Sequence, residues 1–235
     1  RAILQGRDGY LWMGTDAGLS RFDGRYLVSF DRRDGLVDDE IRALAQDTSG
    51  VLWIGTAGGL SRFDGDTFTR FTTTEGLLSD QVRALAFDRD GHLWVGTDAG
   101  LTRYDGWDFT NYTRSDGLPG SQIRSLTVDS RGDVWMGIWG RGVTRYDGET
   151  FTTWTSEDGL LDNGVRPVLE DRHGHLWVGS EGGLSRFDGE RFETFTTKDG
   201  LSATDIFALF EDRSGDLWVG TGNGGASRFD GVRFT

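Results

Sequence analysis

The sequence of 235 residues has no cysteine, only 2 prolines and no long apolar run. The absence of cysteine excludes disulfides, cysteine-ligated zinc, iron–sulfur clusters and thiol catalysis. No apolar stretch approaches the roughly 18 residues of a membrane span, and the first residues do not form a signal peptide. A formal net charge of −13 disfavours nonspecific binding to nucleic acid, which needs a basic surface. We therefore expect no direct membrane insertion and no nucleic-acid partner.

Glycine and tryptophan, in contrast, are abundant, with 37 and 9 residues. The glycines have no three-residue period, which excludes collagen, and 12% aromatic residues can supply a packed core. An apolar–Trp pair recurs every 41 or 42 residues, and each Trp is followed two positions later by Gly. The series consists of Trp12, Trp53, Trp94, Trp135, Trp177 and Trp218. The chain is therefore an array of six repeats.

Each repeat has the pattern of four short strands. In the third repeat, apolar and polar residues alternate over Val82–Phe87, Leu93–Thr97, Leu101–Tyr104 and 109–113, with Asp- and Gly-containing turns between them. Four antiparallel strands in about 41 residues form one propeller blade. The sequence predicts a single all-β domain, a six-bladed β-propeller. Its repeats span about 1–40, 41–81, 82–122, 123–164, 165–205 and 206–235, the last truncated.

The truncated last repeat leaves two interpretations of the assembly. Thr235 aligns with Glu193, so residues 194–206 have no counterpart after it. The six blades either close on themselves in a monomer, which we favour, or they form a segment of a longer array that assembles with further blades.

The repeat resembles a known family. Residues 88–105 read Asp-Arg-Asp-Gly-His-Leu-Trp-Val-Gly-Thr-Asp-Ala-Gly-Leu-Thr-Arg-Tyr-Asp. This run resembles the two-component regulator propeller repeat throughout, and the likeness extends over the whole chain. The resemblance implies a sensor domain of a membrane-bound hybrid histidine kinase, periplasmic or extracytoplasmic, of a kind that often detects carbohydrates.

Residues present in every repeat are expected to serve the architecture. We expect the six Trp side chains to pack between neighbouring blades. The Arg and Asp of a recurrent Arg–aromatic–Asp–Gly tetrad, such as Arg103 and Asp105, should tie adjacent turns together. The Asp that ends each first strand, such as Asp88, should accept backbone N–H bonds in its turn. Phe71, Tyr112, Trp154 and Phe195 share one position and should pack in the core, whereas Trp107 is singular and expected to be exposed.

A row of arginines opens the first strand of five repeats, and the sixth repeat has Phe207 there. These arginines are Arg1, Arg42, Arg83, Arg124 and Arg166. The first strand of a blade is the innermost, so the row should ring one mouth of the central channel. It either binds an anion such as a carboxylate, sulfate or uronate, or pairs with loop acids, the alternative that we favour. The acids near enough in sequence are Asp38, Asp39, Glu40, Asp80, Asp162 and Asp205.

Departures from the repeat are better indicators of function. Blade 4 carries Trp139 and Arg141 in a loop one residue longer than in blade 3, and blade 6 has an insertion around Asn223. An exposed Trp beside Arg can stack a sugar ring and hold an anionic group. We therefore predict a site biased to blades 4–6 for a carbohydrate-like or anionic small ligand, with neutral loop drift as the alternative. The candidate residues are Trp139, Arg141, Arg42, Arg83, Arg124, Arg166, Phe207 and Asn223.

Catalytic motifs are lacking. The sequence has no nucleophile elbow, phosphate loop or dinucleotide fingerprint. His92, His173 and His175 lie in turns between first and second strands, and no third metal ligand accompanies the last two. We expect no cofactor, no metal and no enzymatic activity, and hence a non-catalytic ligand-binding sensor propeller. The alternatives are a protein-interaction or scaffold propeller, isolated, ancestral or engineered, and a polysaccharide lyase-like enzyme.

Overall fold

The computed structural model describes residues 1–235 and contains almost only β-strands and turns. The chain forms six blades of antiparallel strands and is a β-propeller, as the repeat predicts. It divides into two compact units, Arg1–Ile123 and Arg124–Thr235, which hold blades 1–3 and blades 4–6. Alternation of buried and partly buried residues, as along Ile41–Gln46, shows why each segment forms a strand with two distinct faces.

Each blade of unit 1 is a four-stranded sheet whose strands pair in chain order. The strands of blade 1 are β1 Ala2–Gln5, β2 Leu11–Thr15, β3 Gly18–Phe22 and β4 Leu27–Phe30. Those of blade 2 are β5 Ile41–Gln46, β6 Leu52–Thr56, β7 Gly59–Phe63 and β8 Phe68–Phe71. Those of blade 3 are β9 Val82–Phe87, β10 Leu93–Thr97, β11 Leu101–Tyr104 and β12 Phe109–Tyr112.

Unit 2 repeats the plan with two local changes. Its strands are β13 Ile123–Val128, β14 Val134–Ile138, β15 Gly142–Tyr146 and β16 Phe151–Trp154 in blade 4; β17 Val168–Glu170, β18 Leu176–Gly179, β19 Leu184–Phe187 and β20 Phe192–Phe195 in blade 5; and β21 Ile206–Glu211, β22 Leu217–Thr221 and β23 Ala226–Phe229 in blade 6. The first strand of blade 5 begins only after Pro167, which has no backbone N–H to donate. Blade 6 has three strands rather than four, followed by a single bridge from Phe229 to Phe234.

Three of the connections between blades contain a short 3₁₀ helix, which the strand pattern did not predict. These helices are Arg114–Asp116, Ser156–Asp158 and Thr197–Asp199. In the first, Thr113 is the N-cap and the Asp116 carboxylate accepts the Thr113 backbone N–H at 2.8 Å. Gly117 ends the turn at φ 97°, a conformation that favours glycine. The local Thr-x-x-Asp-Gly run is thus sufficient to build each turn.

Four of the six recurrent tryptophans contact an aromatic ring of the next blade within their unit, as predicted, whereas Trp218 of blade 6 is 41% exposed, contrary to the prediction. The Trp53 ring stacks on Phe71 of its own blade and meets Tyr104 of blade 3, at centroid distances of 5.7 and 5.6 Å. In unit 2, Trp177 meets Phe195 and the blade 6 residue Phe229 in the same way. The interface between two blades of a unit is therefore an aromatic cluster, and the same kind of cluster recurs at the next interface.

The Asp that ends the first strand has a second function that the sequence analysis missed. One Asp88 oxygen accepts the backbone N–H groups of Asp90 and His92, as predicted. The other accepts Trp94 Nε1–H at 2.9 Å, and the same bond recurs in blades 4, 5 and 6. The six-residue spacing from Asp to Trp accompanies this bond in blades 3–6, but it is not sufficient, because Trp53 Nε1 has no partner although Asp47 lies six residues before it. The bond fixes the orientation of the buried indole.

The tetrad residues serve mainly their own turns and rings. Asp147 accepts the backbone N–H groups of Glu149 and Thr150, so this carboxylate closes its own turn. The predicted tie between adjacent turns is present but long, with 3.7 Å between Arg145 and Asp133. In blades 3 and 5 the tetrad arginine instead lies over the blade tryptophan, with Arg186 Cζ 5.5 Å from the Trp177 centroid. This prediction is therefore corrected: cation–π contact accompanies a weak charge pair.

Acid should destabilise the fold through these turn carboxylates. Backbone N–H bonds from Asp108 and Trp107 lower the pKa of Asp105, and corresponding bonds lower the pKa values of its counterparts Asp23, Asp64, Asp147, Asp188 and Asp230. Because the folded pKa lies below the unfolded value of about 3.9, the stabilisation is present above that pH and is lost as pH falls through the folded values. Urea unfolding should give a constant stability from pH 7 to about 5.5 and a steep loss below about pH 4. A stability that is unchanged at pH 3 would contradict this account.

Candidate functional site

The candidate site lies at the blade end where the loop between the second and third strands meets the start of the first strand. In unit 1 the arginines of the mouth row pair with nearby acids and amides. Arg42 donates to Glu40 at 3.2 Å and to Gln81 at 2.9 Å, and Arg83 forms an ion pair with Asp98. Arg1 likewise pairs with Asp16 and Glu40. Arg1, Arg42 and Arg83 therefore pair with nearby side chains, which is the alternative that we favoured over anion binding.

Unit 2 differs, because four of the candidate residues line one open pocket there. Arg124, Trp139, Arg166 and Phe207 enclose about 380 Å³. The guanidinium carbons of Arg124 and Arg166 lie 5.3 and 5.4 Å from the Trp139 ring centroid, and Arg166 also lies 4.1 Å from the Phe207 centroid. Both aromatic side chains remain accessible, at 37% for Trp139 and 54% for Phe207. The pocket thus combines two cations with two exposed rings.

Trp139 occupies a position that holds a carboxylate in other blades. Asp98 at this position pairs with Arg83 in blade 3, and Glu181 pairs with Arg166 at 2.8 Å in blade 5. In blade 4 the residue at this position is Trp139, whose ring centroid lies 5.3 Å from the guanidinium carbon of Arg124. The blade 4 loop thus carries an indole in cation–π contact where blades 3 and 5 carry a negative charge.

The loop that carries Trp139 is fixed by backbone contacts. Trp139 forms a bridge with Gly164, and Gly142 N–H donates to the Asn163 carbonyl at 3.1 Å. Gly142 has φ 83°, and a Cβ there would collide with the Trp154 carbonyl oxygen, so only glycine fits. Trp139 is therefore presented at the end of β14 by a defined turn.

Two carboxylates accompany the second cation of the pocket. Arg166 pairs with Asp205 through Nη1 and with Glu181 through Nη2. The pair with Asp205 links the start of blade 5 to the loop that precedes blade 6. Arg166 is thus held in place by charge-assisted bonds while its face contacts the aromatic rings. Guanidinium donors and carboxylate acceptors around an exposed ring suit a ligand that has hydroxyl groups and a flat apolar face.

The other candidate residues lie apart from this pocket. Arg141 and Asn223 are exposed in their loops and do not line it. Arg42 and Arg83 belong to unit 1. No helix of the chain is long and apolar enough to span a membrane.

The histidines lie in the turns at the other end of their blades. The His173 and His175 rings are 6.3 Å apart, and His175 Nδ1 lies 3.1 Å from Asp171. Asp88, Asp90 and His92 form a small cluster in blade 3. His92 is engaged there by Asp88 and Arg103, so the cluster is part of the Trp94 turn.

The architecture and the repeat define a β-propeller built from short, regular blades. The profile of the two component regulator propeller family matches five segments, 35–58, 76–99, 117–140, 159–182 and 200–223. Together they cover just over half of the chain, which belongs to this family. No curated protein matched the sequence.

Solved structures share the fold at low identity. The extracellular domain of a putative hybrid two component system from B. thetaiotaomicron is 22% identical with a TM-score of 0.86, over 97% of this chain and 33% of that one. The extracellular domain of a putative one component system from the same organism gives 22% and 0.83, over 100% and 36%. Virginiamycin B lyase from Staphylococcus aureus gives 15% and 0.78, over 100% and 82%. The chain spans about one third of the two extracellular domains.

Proposed function

We propose that this chain is a non-catalytic sensor propeller and that the pocket of Arg124, Trp139, Arg166 and Phe207 binds a carbohydrate-like ligand with a negative charge. The observation that carries the proposal is the position of Trp139. An accessible indole stands between two guanidinium groups, where related blades place a carboxylate.

The chemistry of the pocket favours an acidic sugar. The flat face of a pyranose can pack on an exposed indole, and the positive charge of the two guanidinium groups attracts a carboxylate. Glu181 and Asp205 supply acceptors for hydroxyl groups close to Arg166. A uronic acid offers all three features in one ring.

The residues of the pocket also favour binding over catalysis. The pocket is lined by Arg, Trp and Phe, and the histidines lie in turns at the other end of the blades. One structurally similar lyase is described as catalytically inactive when a histidine is replaced by alanine. Together with the likeness to extracellular domains of signalling systems, this supports ligand recognition as the function of the chain.

Calorimetric titration with a uronic-acid oligosaccharide and its neutral counterpart tests the proposal. The uronate should bind and the neutral sugar should bind at least about tenfold more weakly, because a charge-assisted pair is worth on the order of 1.5–3 kcal/mol. Trp139→Ala should weaken uronate binding at least about tenfold through loss of stacking and cation–π contact.

Trp107→Ala is the matched control. Trp107 is an exposed tryptophan in an outer turn of blade 3, at 88% accessibility, and it does not line the pocket. This variant should bind like the wild type. Absence of uronate binding, or equal binding by the Trp139→Ala variant, would refute the proposal.

A further inference from the structure

Two imidazoles lie side by side in one turn of blade 5. His173 and His175 are in the turn between β17 and β18, and their ring centroids are 6.3 Å apart. At a metal–nitrogen distance of about 2.1 Å, the centroid of a bound imidazole lies about 3.2 Å from the ion. Two rings on one ion therefore have centroids no more than about 6.4 Å apart. The two histidines are within this limit.

The His175 ring is oriented by a carboxylate. Its Nδ1 lies 3.1 Å from Asp171 Oδ2, and the Trp177 indole donates to the same oxygen at 2.8 Å. When Nδ1–H donates to Asp171, the lone pair of Nε2 is directed away from this carboxylate. A carboxylate that holds the second ring nitrogen is the usual support of a metal-binding histidine. The His173 ring makes no hydrogen bond, so it can turn toward the same ion.

Blade 3 has a similar turn, but its histidine has an additional partner. His92 corresponds to His175, and its Nε2 lies 2.9 Å from Arg103 Nη2. In blade 5 the corresponding Arg186 pairs instead with Glu193. The Nε2 atom of His175 is therefore open to a ligand, whereas that of His92 is occupied by a guanidinium group.

Both imidazoles of blade 5 line a cavity of about 440 Å³ between blades 5 and 6. The cavity belongs wholly to unit 2 and has room for an ion with bound water. Its charged lining consists of four carboxylates and two guanidinium groups, which belong to Asp171, Glu211, Asp216, Asp230, Arg172 and Arg186. The excess of negative charge favours a cation over an anion.

We propose that His173 and His175 form a site for a divalent ion of the late first-row transition metals, and that Glu193 is a positioning residue that keeps Arg186 away from it. Imidazole nitrogen is a ligand that copper, nickel and zinc share, and Cu²⁺ binds most tightly in this series. Water completes the coordination on the cavity side. The site shares no residue with the pocket of Trp139, so it does not depend on sugar binding.

Sequence reasoning predicted no metal at these histidines. Their spacing offered two ligands without a third, and nothing in the spacing showed which groups surround them. The bond from His175 to Asp171 and the pair of Arg186 with Glu193 are visible only in the folded chain.

Titration of the full chain, without a histidine tag, with Cu²⁺ tests the proposal. Calorimetry should show one bound equivalent, and electron paramagnetic resonance should show nitrogen coupling from two imidazoles. His173→Gln should weaken binding at least about tenfold through loss of one ligand. Because His173 is exposed and its ring makes no hydrogen bond, this variant should fold like the wild type. Absence of imidazole-bound copper, or an unchanged dissociation constant in the variant, would overturn the proposal.

Two further variants locate the site. His92→Gln removes the corresponding imidazole of blade 3 and should leave copper binding unchanged; a loss of binding would place the site in blade 3 and overturn the assignment. Glu193→Thr gives blade 5 the residue that blade 3 has in Thr110. It retains both ligands but releases Arg186 toward His175, so it should weaken binding at least about tenfold. Wild-type binding by this variant would overturn the role assigned to Glu193.

Discussion

Trp177→Ala is expected to lower the free energy of unfolding by about 3–5 kcal/mol, the range for deletion of a large buried aromatic side chain. The Trp177 ring is 2% exposed and packs between Phe195 and Phe229, so its removal leaves a cavity at a blade interface. Its removal also leaves the Asp171 carboxylate without the indole donor. Urea unfolding followed by circular dichroism measures the change.

Trp218→Ala is the matched control for this prediction. It occupies the same repeat position and makes the same bond, to Asp212, but its ring is 41% exposed. Its loss should cost only about 1–2 kcal/mol, because less apolar area returns to water and no closed cavity forms. Equal costs at the two positions would show that Trp218 is covered in solution.

Gly55→Val should be the second strongly destabilising change, at about 3 kcal/mol or more. A Cβ at this position would lie 2.6 Å from Cγ1 of Val82, and the extra methyl groups would enter the space of a fully buried residue. Neither neighbour can move without separating blades 2 and 3, so the strain is of the overpacking kind. The melting temperature of the variant should fall by at least about 8 °C.

Gly55→Ala and Gly220→Ala distinguish packing from backbone effects. Neither glycine has a positive φ, so alanine introduces no left-handed strain at either position. Gly55→Ala should still destabilise the chain, because the clash with Val82 remains. Gly220→Ala should be neutral within about 0.5 kcal/mol. A neutral Gly55→Ala variant would contradict the close packing of Gly55 against Val82 at the interface of blades 2 and 3.

The blade could be predicted from the sequence because the residues that form its strands, turns and core recur at the same positions in each repeat. Six in-phase Trp–x–Gly positions define the repeat, and the packing of Phe71 and Phe195 in the core followed from their shared position; their contact with the tryptophan rings did not. The 3₁₀ turns were missed because a capping run of Thr, Asp and Gly resembles a simple strand connection. The indole bond to Asp88 was missed because backbone partners already accounted for that carboxylate.

The candidate site was less accessible to sequence reasoning. The arginine row predicted one ring of equivalent residues, but pairing depends on the residue that each loop places opposite the arginine. Asp98 neutralises Arg83, whereas Trp139 meets Arg124. Arg141 lies two residues after Trp139, between Gly140 and Gly142, and does not line the pocket. Comparison of one position across blades would have found this difference.

The most direct test of the ligand site is to measure the binding of a uronate to the Trp139→Glu variant. The change gives blade 4 the carboxylate that blade 5 has in Glu181, and it removes the indole from the pocket. Calorimetry should detect no uronate binding by this variant, while its melting temperature stays within about 2 °C of the wild type because the side chain is on the surface. Uronate binding with the wild-type dissociation constant would contradict the claim that Trp139 and its two arginines form the ligand site.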